Sequence, residues 1–144
     1  EISSVVYELK KKKRKIIFTN GCFDILHIGH IKYLEKAKSF GDVLILGLNS
    51  DDSIRKLKGQ NRPINPQMDR AYILASLEVV DYLVIFNEDT PIELIKLIEP
   101  DVLVKGGDYE GKEVVGQNIA KELKLVAFID DKSTTKIIER IQKT

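Results

Sequence analysis

The 144-residue sequence is poor in cysteine, histidine and tryptophan, with one, two and none of these residues respectively. The single Cys22 excludes an internal disulfide framework and fits a reducing, cytoplasmic compartment. No apolar run approaches the roughly 20 residues that a membrane-spanning helix needs, and no signal-peptide pattern opens the sequence. These absences predict a cytoplasmic protein that does not associate with a membrane.

The sequence also lacks an excess of charge of either sign, because 23 basic residues face 22 acidic ones and the formal net charge is +1. Net charge therefore points to neither nucleic acid nor a membrane surface, and we expect neither as a partner. One basic cluster, KKKRK at residues 11–15, has no interleaved aromatic residues. We interpret it as solvated surface at the end of an N-terminal lead-in, residues 1–14, to the first strand.

Repeats, low-complexity segments and linkers are absent too, so we expect residues 1–144 to form one domain. What the sequence does contain is a series of short, nearly continuous apolar runs rich in Ile, Val and Leu. Such runs are typical of strands that are covered on both faces, as in parallel sheets. The predicted strands are residues 15–19, 43–49, 82–86, 102–105 and 125–129.

Helical patterns separate these runs. Residues 28–40 carry an apolar face and are followed by Gly41, a candidate C′ glycine. Asn65-Pro66 predicts a capped helix start with proline at the first position, and Thr90-Pro91 predicts a capping box. The helix that begins at Asn65-Pro66 is predicted to end near Leu77, and further helices are predicted at residues 114–123 and 135–142. The alternation predicts an α/β, Rossmann-like, doubly wound five-stranded parallel sheet with helices on both faces.

In such a sheet, the loops at the carboxyl ends of the strands form the ligand crevice. The polar and glycine-rich residues of this sequence fall in those loops, at 20–21, 49–51, 105–108 and 130–133. The first of these loops continues into His27 and His30, the only histidines of the chain. They lie where a strand passes into a helix.

Three familiar site types are excluded by spacing. His27 and His30 stand as H-x-x-H rather than H-x-x-x-H and have one cysteine nearby, which argues against zinc, so no protein metal ligand is predicted. The stretch GGDYEGK resembles a P-loop, but Glu113 follows where a serine or threonine is required. The dinucleotide fingerprint G-x-G-x-x-G does not follow the first strand.

A polyphosphate site remains. A helix N-terminus offers free N–H groups and partial positive charge, and two imidazoles with a glycine between them stand at this one. Lys56, Lys58 and Arg62 follow in a segment predicted to be a flexible loop, and residues 133–136, STTK, open the last helix. Together these features predict a site for several phosphates.

These residues carry a resemblance. The stretches HIGH, KLKG and STTK are similar to those of the HIGH-motif, cytidylyltransferase-like nucleotidyltransferase superfamily. Within it, TNGCFDILHIGHIKYLEKAK, LNSDDSIRKLKGQNRPINP, EDTP, VLVKGGDY and STTKIIERIQ resemble one branch closely. That branch comprises the D-glycero-β-D-manno-heptose 1-phosphate adenylyltransferase domains of bifunctional ADP-heptose synthesis enzymes. The resemblance covers nearly everything from Lys15 to Gln142.

The resemblance implies that ATP and a sugar 1-phosphate react to give an ADP-sugar and pyrophosphate, a step toward lipopolysaccharide or another surface glycan. It implies Mg²⁺ held mainly by the ATP phosphates, and a homodimer. Arg70 is a candidate for a further phosphate or substrate contact. The implied catalytic residues are His27, His30 and Lys58, and the implied nucleotide-binding residues are Asn20, Gly21, Phe23, Asp24, Gly29, Lys56, Arg62, Lys105, Gly106, Asp108, Ser133, Thr134 and Thr135.

Related functions stay open at this point. Glycerol-3-phosphate cytidylyltransferases have R-T-E-G-I-S-T-T before the last helix, where this sequence has IDDKSTT without that arginine and glycine. An FAD synthetase-like transferase, a nucleotide-binding regulatory module and an electron-transfer flavin domain are further candidates. The sequence does not specify the sugar, the choice between ATP and CTP, or fusion to a kinase domain.

Overall fold

The computed structural model describes residues 1–107, 112–127 and 133–144, in which strands and helices alternate. None of the helices in this part of the chain is long and apolar enough to cross a membrane. The elements are α1 (Ile2–Lys11), β1 (Ile16–Gly21), α2 (Ile28–Lys38), β2 (Val43–Asn49), α3 (Asp51–Lys58), α4 (Gln67–Ala75), β3 (Tyr82–Phe86), α5 (Ile92–Ile98), β4 (Val102–Gly106), β5 (Glu122–Val126) and α6 (Thr134–Gln142).

The five strands form one parallel sheet in the order β3-β2-β1-β4-β5. The chain proceeds outward from β1 through β2 to β3, and then returns to place β4 on the other side of β1. The strand order therefore reverses between β1 and β4, which is the point where open α/β sheets bind ligands.

Helices cover both faces of the sheet, as predicted. On one face, Leu34 of α2 and Leu74 of α4 pack in the cluster that contains Ile17 of β1. On the other face, Leu9 of α1 and Ile95 of α5 pack in the cluster that contains Ile16 and Phe18 of β1. Because neighbouring residues of β1 serve opposite faces and are fully buried, the strand reads as a continuous apolar run. The Rossmann-like fold class is confirmed.

The N-terminal lead-in contains a helix that was not predicted, because residues 2–11 form α1. Ile2, Val5, Val6 and Leu9 recur at helical spacing and contact the second core cluster. The basic run that follows is exposed at every position from 11 to 15, so its interpretation as solvated surface is confirmed.

The segment predicted as a flexible loop after the second strand begins with another helix, α3. The Ser50 side chain accepts a hydrogen bond from the Ser53 N–H and caps it. Acidic Asp51 and Asp52 occupy the first turn, and basic residues occupy the last turn, which suits the helix dipole. The helix buries only Ser53 and Ile54, so its apolar pattern is weak.

The helix predicted at 114–123 is wrong. The chain makes turns over residues 115–119, and β5 begins at Glu122, earlier than the predicted residue 125. Gly116 has φ of 88°, a conformation that side chains disfavour, and a Cβ there would lie 2.6 Å from Ile95 Cδ1. The apolar Val114 and Ile119 pack on the core without helical geometry. The predicted strand residues 128 and 129 lie outside the described residues.

Two predicted helix starts are shifted by one residue. Pro66 and Pro91 are themselves the N-cap residues of α4 and α5, and neither helix has a side-chain cap hydrogen bond. The Asn65 side chain instead donates to the Asp24 carbonyl oxygen at 2.8 Å. Proline supplies the fixed φ in both places, but the predicted caps by Asn65 and Thr90 are wrong.

Gly41 is not a C′ glycine. Helix α2 ends at Lys38, and its C-cap Ser39 has right-handed φ and ψ. A Cβ on Gly41 would lie 2.9 Å from the Ile17 side chain, so the glycine is explained by close packing against β1.

Candidate active site

A cleft of about 650 Å³ opens at the carboxyl ends of the strands, beside the point where the strand order reverses. This volume lies within the range of about 300–1,000 Å³ that is usual for small-molecule sites. The structure brings most of the predicted site residues together in its lining. These are Asn20, Gly21, Phe23, Asp24, His27, Gly29, His30, Lys58, Lys105, Gly106, Ser133, Thr134 and Thr135.

The two histidines cap α2 reciprocally. His27 is the N-cap residue, and its Nδ1 accepts from the Gly29 N–H at 3.1 Å. His30 Nδ1 accepts from the His27 N–H at 3.3 Å. A backbone N–H can only donate, so both Nδ1 atoms are unprotonated and each neutral ring carries its proton on Nε2. The cap therefore converts H-x-x-H into two Nε2–H donors at one helix N-terminus.

Stacking also fixes the two rings. The His27 and His30 ring centroids lie 3.9 Å apart with an angle of 30° between the planes. Phe23 contacts His30 edge-on at 5.1 Å. Phe23 has φ of 48°, in the left-handed region that non-glycine residues rarely adopt and that often occurs at functional sites.

Burial lowers the pKa of His30 to about 4, and positive charge on His27 or on Lys58 acts in the same direction. His30 is therefore neutral near pH 7 in the free protein. A neutral imidazole whose Nδ1 is occupied can donate one hydrogen bond, through Nε2, to a phosphate oxygen.

Lys105 and Asn20 join the two strands at the switch point. Lys105, at the end of β4, donates through Nζ to Asn20 Oδ1, near the end of β1. Burial lowers the pKa of Lys105 to about 8. The side chain is therefore a largely desolvated cation at neutral pH, and its attraction for an anion in the cleft is correspondingly strong.

Asp24 positions the segment that carries Arg62. Its Oδ1 accepts from the N–H groups of Ile64 and Asn65, both at 2.9 Å, and Arg62 Nη1 lies 3.9 Å from Oδ2. The Arg62 side chain is 17% exposed, and its Nη2 donates to Thr135 Oγ1 at 3.2 Å. Arg62 does not line the cleft itself but lies between two residues that do.

The start of α6 uses its hydroxyl groups on the protein. Ser133 Oγ accepts from the Lys136 N–H at 3.0 Å. Thr134 Oγ1 donates to the Ile25 carbonyl oxygen at 3.2 Å and accepts from the Ile25 N–H at 3.4 Å. Thr134 thus uses its hydroxyl hydrogen on the protein, whereas the Ser133 hydroxyl, which only accepts here, can still donate to an anion together with the backbone N–H groups and the dipole of the helix.

Lys56 does not line the cleft, although its neighbour Lys58 does. Two residues on a helix are separated by about 200° of rotation, so the two lysines leave α3 in opposite directions. Lys56 Nζ lies 3.9 Å from Asp89 Oδ1 on the exposed surface. The lining therefore gives no support to the prediction that Lys56 contacts phosphate, and it stays a prediction.

Arg70 is corrected from a phosphate contact to a structural residue. Its side chain is fully buried. The guanidinium donates to the carbonyl oxygens of Cys22 at 2.9 Å, Asn49 at 2.8 Å and Asn65 at 2.9 Å, and to Asp51 Oδ1 at 2.8 Å. It thereby ties together the loop after β1, the end of β2, the start of α3 and the segment before α4, all beneath the cleft.

Several residues of the lining were not predicted from the sequence. One predicted residue, Asp108, lies outside the described residues. Burial raises the pKa of the Cys22 thiol, which fits its interpretation as a small apolar residue. Asn49 and Lys136 lie in segments that the sequence placed at the crevice, whereas the lining residues that were not predicted are Cys22, Tyr33, Leu57, Asp89 and Pro91. The position of Asp89 shortly after β3 is the one sequence signal that could have indicated it.

Sequence comparison finds relatives over almost the whole chain. The bifunctional protein HldE of Aliarcobacter butzleri is 71% identical over 99% of this chain. The bifunctional protein HldE of a Nitratiruptor species is 66% identical over the same share. The chain spans only 30% and 31% of the length of these two relatives.

Two solved structures are similar. The lipopolysaccharide core biosynthesis protein from Thermoplasma volcanium matches with a TM-score of 0.64 and 29% identity, over 81% of this chain and 97% of that chain. The pantoate-beta-alanine ligase from Francisella tularensis, at 18% identity, shares the fold with a TM-score of 0.58, over 99% of this chain and 76% of that chain. A family model described as cytidylyltransferase-like matches residues 18–140. The chain therefore belongs to the cytidylyltransferase-like family.

Proposed function

We propose that this chain transfers the adenylyl group of ATP to heptose 1-phosphate, giving ADP-heptose and pyrophosphate for a surface-glycan precursor. The observation that carries the proposal is the reciprocal histidine cap, which sets two Nε2–H donors at a helix N-terminus in the cleft. The 71% identity to a bifunctional HldE protein and the resemblance of the motifs to heptose 1-phosphate adenylyltransferases support the choice of substrates.

In the proposed reaction, a phosphate oxygen of the sugar 1-phosphate attacks the α-phosphorus of ATP. The bond from that phosphorus to the bridging oxygen breaks, and its electron pair leaves with pyrophosphate. The attacking oxygen is already anionic, so no general base is required. No covalent enzyme intermediate is required either, and Cys22 is a poor nucleophile because burial favours its thiol form.

Catalysis then consists of positioning and of stabilising charge. His27 and His30 would donate from Nε2 to oxygens of the α- and β-phosphates. Lys58, at the end of α3, would add positive charge over the departing pyrophosphate, with Arg62 behind it. The start of α6 would hold the terminal phosphates through its N–H groups.

We propose that Mg²⁺ arrives with ATP rather than residing on the protein. Within residues 1–107, 112–127 and 133–144, no three His, Cys, Asp or Glu side chains lie close enough together to hold a metal. Asp24 already uses its carboxylate on backbone N–H groups. This donor set fits an ion held mainly by phosphate oxygens, where it would offset part of their charge.

The adenosine is proposed to lie at the end of β4, where Gly106 leaves room beside Lys105. We further propose that residues 1–144 act as one domain, in the cytoplasm, and as a homodimer. The dimer is supported by exposed apolar side chains at one end of the sheet: Met68 and Tyr72 on α4 and Tyr82 on the edge strand β3. Light scattering after size exclusion tests the dimer, and a monomer mass at micromolar concentration would exclude it.

A pyrophosphate-release assay tests the activity. The four nucleoside triphosphates are each combined with heptose 1-phosphate, glycerol 3-phosphate and FMN in the presence of Mg²⁺. We expect turnover with ATP and heptose 1-phosphate, and loss of turnover on chelation of the metal. CTP with glycerol 3-phosphate, or ATP with FMN, as the preferred pair would replace the proposal by one of the related transferases. Nucleotide binding with no turnover would favour a regulatory module.

A further inference from the structure

The cleft has two chemically different ends. At the ends of β1 and β4 it is lined by histidines, lysines and a helix N-terminus, which suit phosphates. The other end lies beyond β2 and β3, whose last residues, Asn49 and Phe86, pair in the sheet. The lining residues that come from the end of β2 and from the segments after β2 and β3 include Asn49, Leu57, Asp89 and Pro91. Asp89 belongs to the EDTP stretch, to which the proposed reaction assigns no role.

The loop that carries Asp89 is fixed to the start of α3. The Ser50 N–H donates to the Phe86 carbonyl oxygen at 3.0 Å, and Ser50 Oγ donates to Asn87 Oδ1. Pro91, at the other end of the loop, is buried. Asp89 therefore stands on an anchored loop while its side chain stays 76% exposed.

A carboxylate is unfavourable in a site that binds only anions, because it repels phosphate oxygens. The one described ion pair of Asp89 does not explain why a carboxylate stands here. Lys56 Nζ is 3.9 Å away and both side chains are mostly exposed, so the pair contributes little to stability. A carboxylate does accept strong hydrogen bonds from neutral hydroxyl groups. Leu57, which is 58% exposed and also lines the cleft, offers apolar surface for the C–H groups of a sugar ring.

We propose that Asp89 is a specificity-determining residue that accepts hydrogen bonds from the hydroxyl groups of the sugar 1-phosphate. The inference rests on the proposed function and adds to it the end of the cleft where the acceptor binds. The phosphate of the acceptor then points toward His27 and His30, and its hydroxyl-rich part points toward β2 and β3.

The test compares Asp89→Ala with the wild type by steady-state kinetics and by calorimetric titration with heptose 1-phosphate. We expect the KM for heptose 1-phosphate, and its Kd, to rise about 10-fold, the loss of one charge-assisted hydrogen bond at an exposed position. The KM for ATP and kcat should stay within about 2-fold of wild type, the usual tolerance at uninvolved positions. Glu88→Gln is the matched control, because Glu88 lies in the same loop and does not line the cleft.

Three outcomes would overturn the inference. The first is an unchanged Kd and KM for heptose 1-phosphate in Asp89→Ala. The second is a change confined to ATP or to the Mg²⁺ requirement, which would make Asp89 a nucleotide-side residue. The third is an equal effect of Lys56→Gln, which would show that Asp89 acts only by holding Lys56. A wild-type protein that binds heptose 1-phosphate without turnover would overturn the proposed function alone, because the titration still tests Asp89. Absence of any wild-type binding would overturn both.

Discussion

The two helix N-termini at the cleft are held in place by different interactions. Helix α2 buries Leu34 and Ala37 completely in the core and is capped by two stacked imidazole rings. Helix α6 buries none of its described residues, and Thr134 joins its first turn to Ile25 through polar contacts. The α2 donors are therefore in position before any ligand arrives, which is what electrostatic catalysis requires. We expect α6 to depend on the bound nucleotide for its position.

The largest expected effect is on the hydrogen-bond network of Arg70 beneath the cleft. Arg70→Met removes four hydrogen bonds and leaves three backbone carbonyl groups and Asp51 without that partner. Breaking a buried charged network of this kind costs about 3–5 kcal/mol of unfolding free energy. Urea denaturation measures this loss of unfolding free energy. Arg55→Met is the control, because Arg55 makes only an exposed pair with Asp52 and should cost less than about 1 kcal/mol. A loss below about 1 kcal/mol for Arg70→Met would contradict the structural role.

Next in size is the loss of a histidine donor. In His30→Asn the amide can still accept from the His27 N–H, as Nδ1 does, but nothing replaces the Nε2–H. We expect kcat at saturating ATP to fall on the order of 10²–10³-fold, with ATP affinity reduced less. His30→Ala should lose the cap as well, at a further cost of about 1 kcal/mol in unfolding free energy. Normal turnover of His30→Asn at saturating ATP would show that His30 contributes to ATP binding in the ground state and does not stabilise the transition state.

Lys58→Ala is expected to lower turnover without lowering the stability of the fold. Lys58 is exposed, so its removal should change the unfolding free energy by no more than about 0.5 kcal/mol. Turnover should fall at least about 10-fold, because an ammonium group near the developing charge is lost. Lys56→Ala, two residues away and outside the cleft, is the matched control. Equal kinetic losses in the two variants would mean that α3 does not present Lys58 selectively.

The smallest expected effect is at α6. Thr134→Val keeps the shape of the side chain and removes both contacts to Ile25, which are together worth about 1 kcal/mol. We expect ATP affinity to weaken about 5-fold, the equivalent of that energy, while global unfolding changes little because α6 contributes no buried residue. Hydrogen exchange should quicken in residues 134–142 and stay unchanged in 28–38. Faster exchange in both helices would contradict the claim that α2 is held by the core and α6 by its polar contacts to Ile25.

The apolar runs predicted the sheet because burial on both faces leaves few polar positions within β1, β2 and β4. The missed elements have physical reasons. Helix α3 has almost no apolar face and is stabilised by Ser50 and by charges in its end turns. The segment at 114–123 has helical spacing of apolar residues, yet Gly116 adopts a left-handed conformation that ends such a helix.

The site was predictable where a short motif sets its own geometry, as at residues 27–30. It was not predictable where tertiary contacts decide exposure. Arg70 occupies a surface-like position in the sequence, but four acceptors, three of them distant in the sequence, hold its guanidinium in the interior. Asp89 and Asn49 join the lining only because β2 and β3 end side by side.

The lowered pKa of His30 makes the free energy of unfolding depend on pH. In the unfolded chain this histidine binds a proton below about pH 6.5, whereas in the folded protein it does so only near pH 4. Between these values the unfolded state binds more protons, so the contribution of His30 to stability is present above pH 6.5 and is lost as pH falls toward 4. Urea denaturation from about pH 7.5 to about pH 4.5 should show a steeper loss for wild type than for His30→Asn. Parallel curves would contradict the lowered pKa.

Nitrogen-15 NMR of the two histidine side chains is the most direct measurement, because the central claim is that both rings are neutral donors fixed through Nδ1. The spectrum should show His27 and His30 near pH 7 as neutral rings with the proton on Nε2. His30 should stay neutral until the pH approaches 4, and both Nε2–H signals should shift when a non-hydrolysable ATP analogue binds. Three results would contradict the claim that both rings are neutral Nε2–H donors. They are a proton on Nδ1 of either ring, titration of His30 near the ordinary pKa of about 6.5, and Nε2–H signals that do not shift when the nucleotide binds.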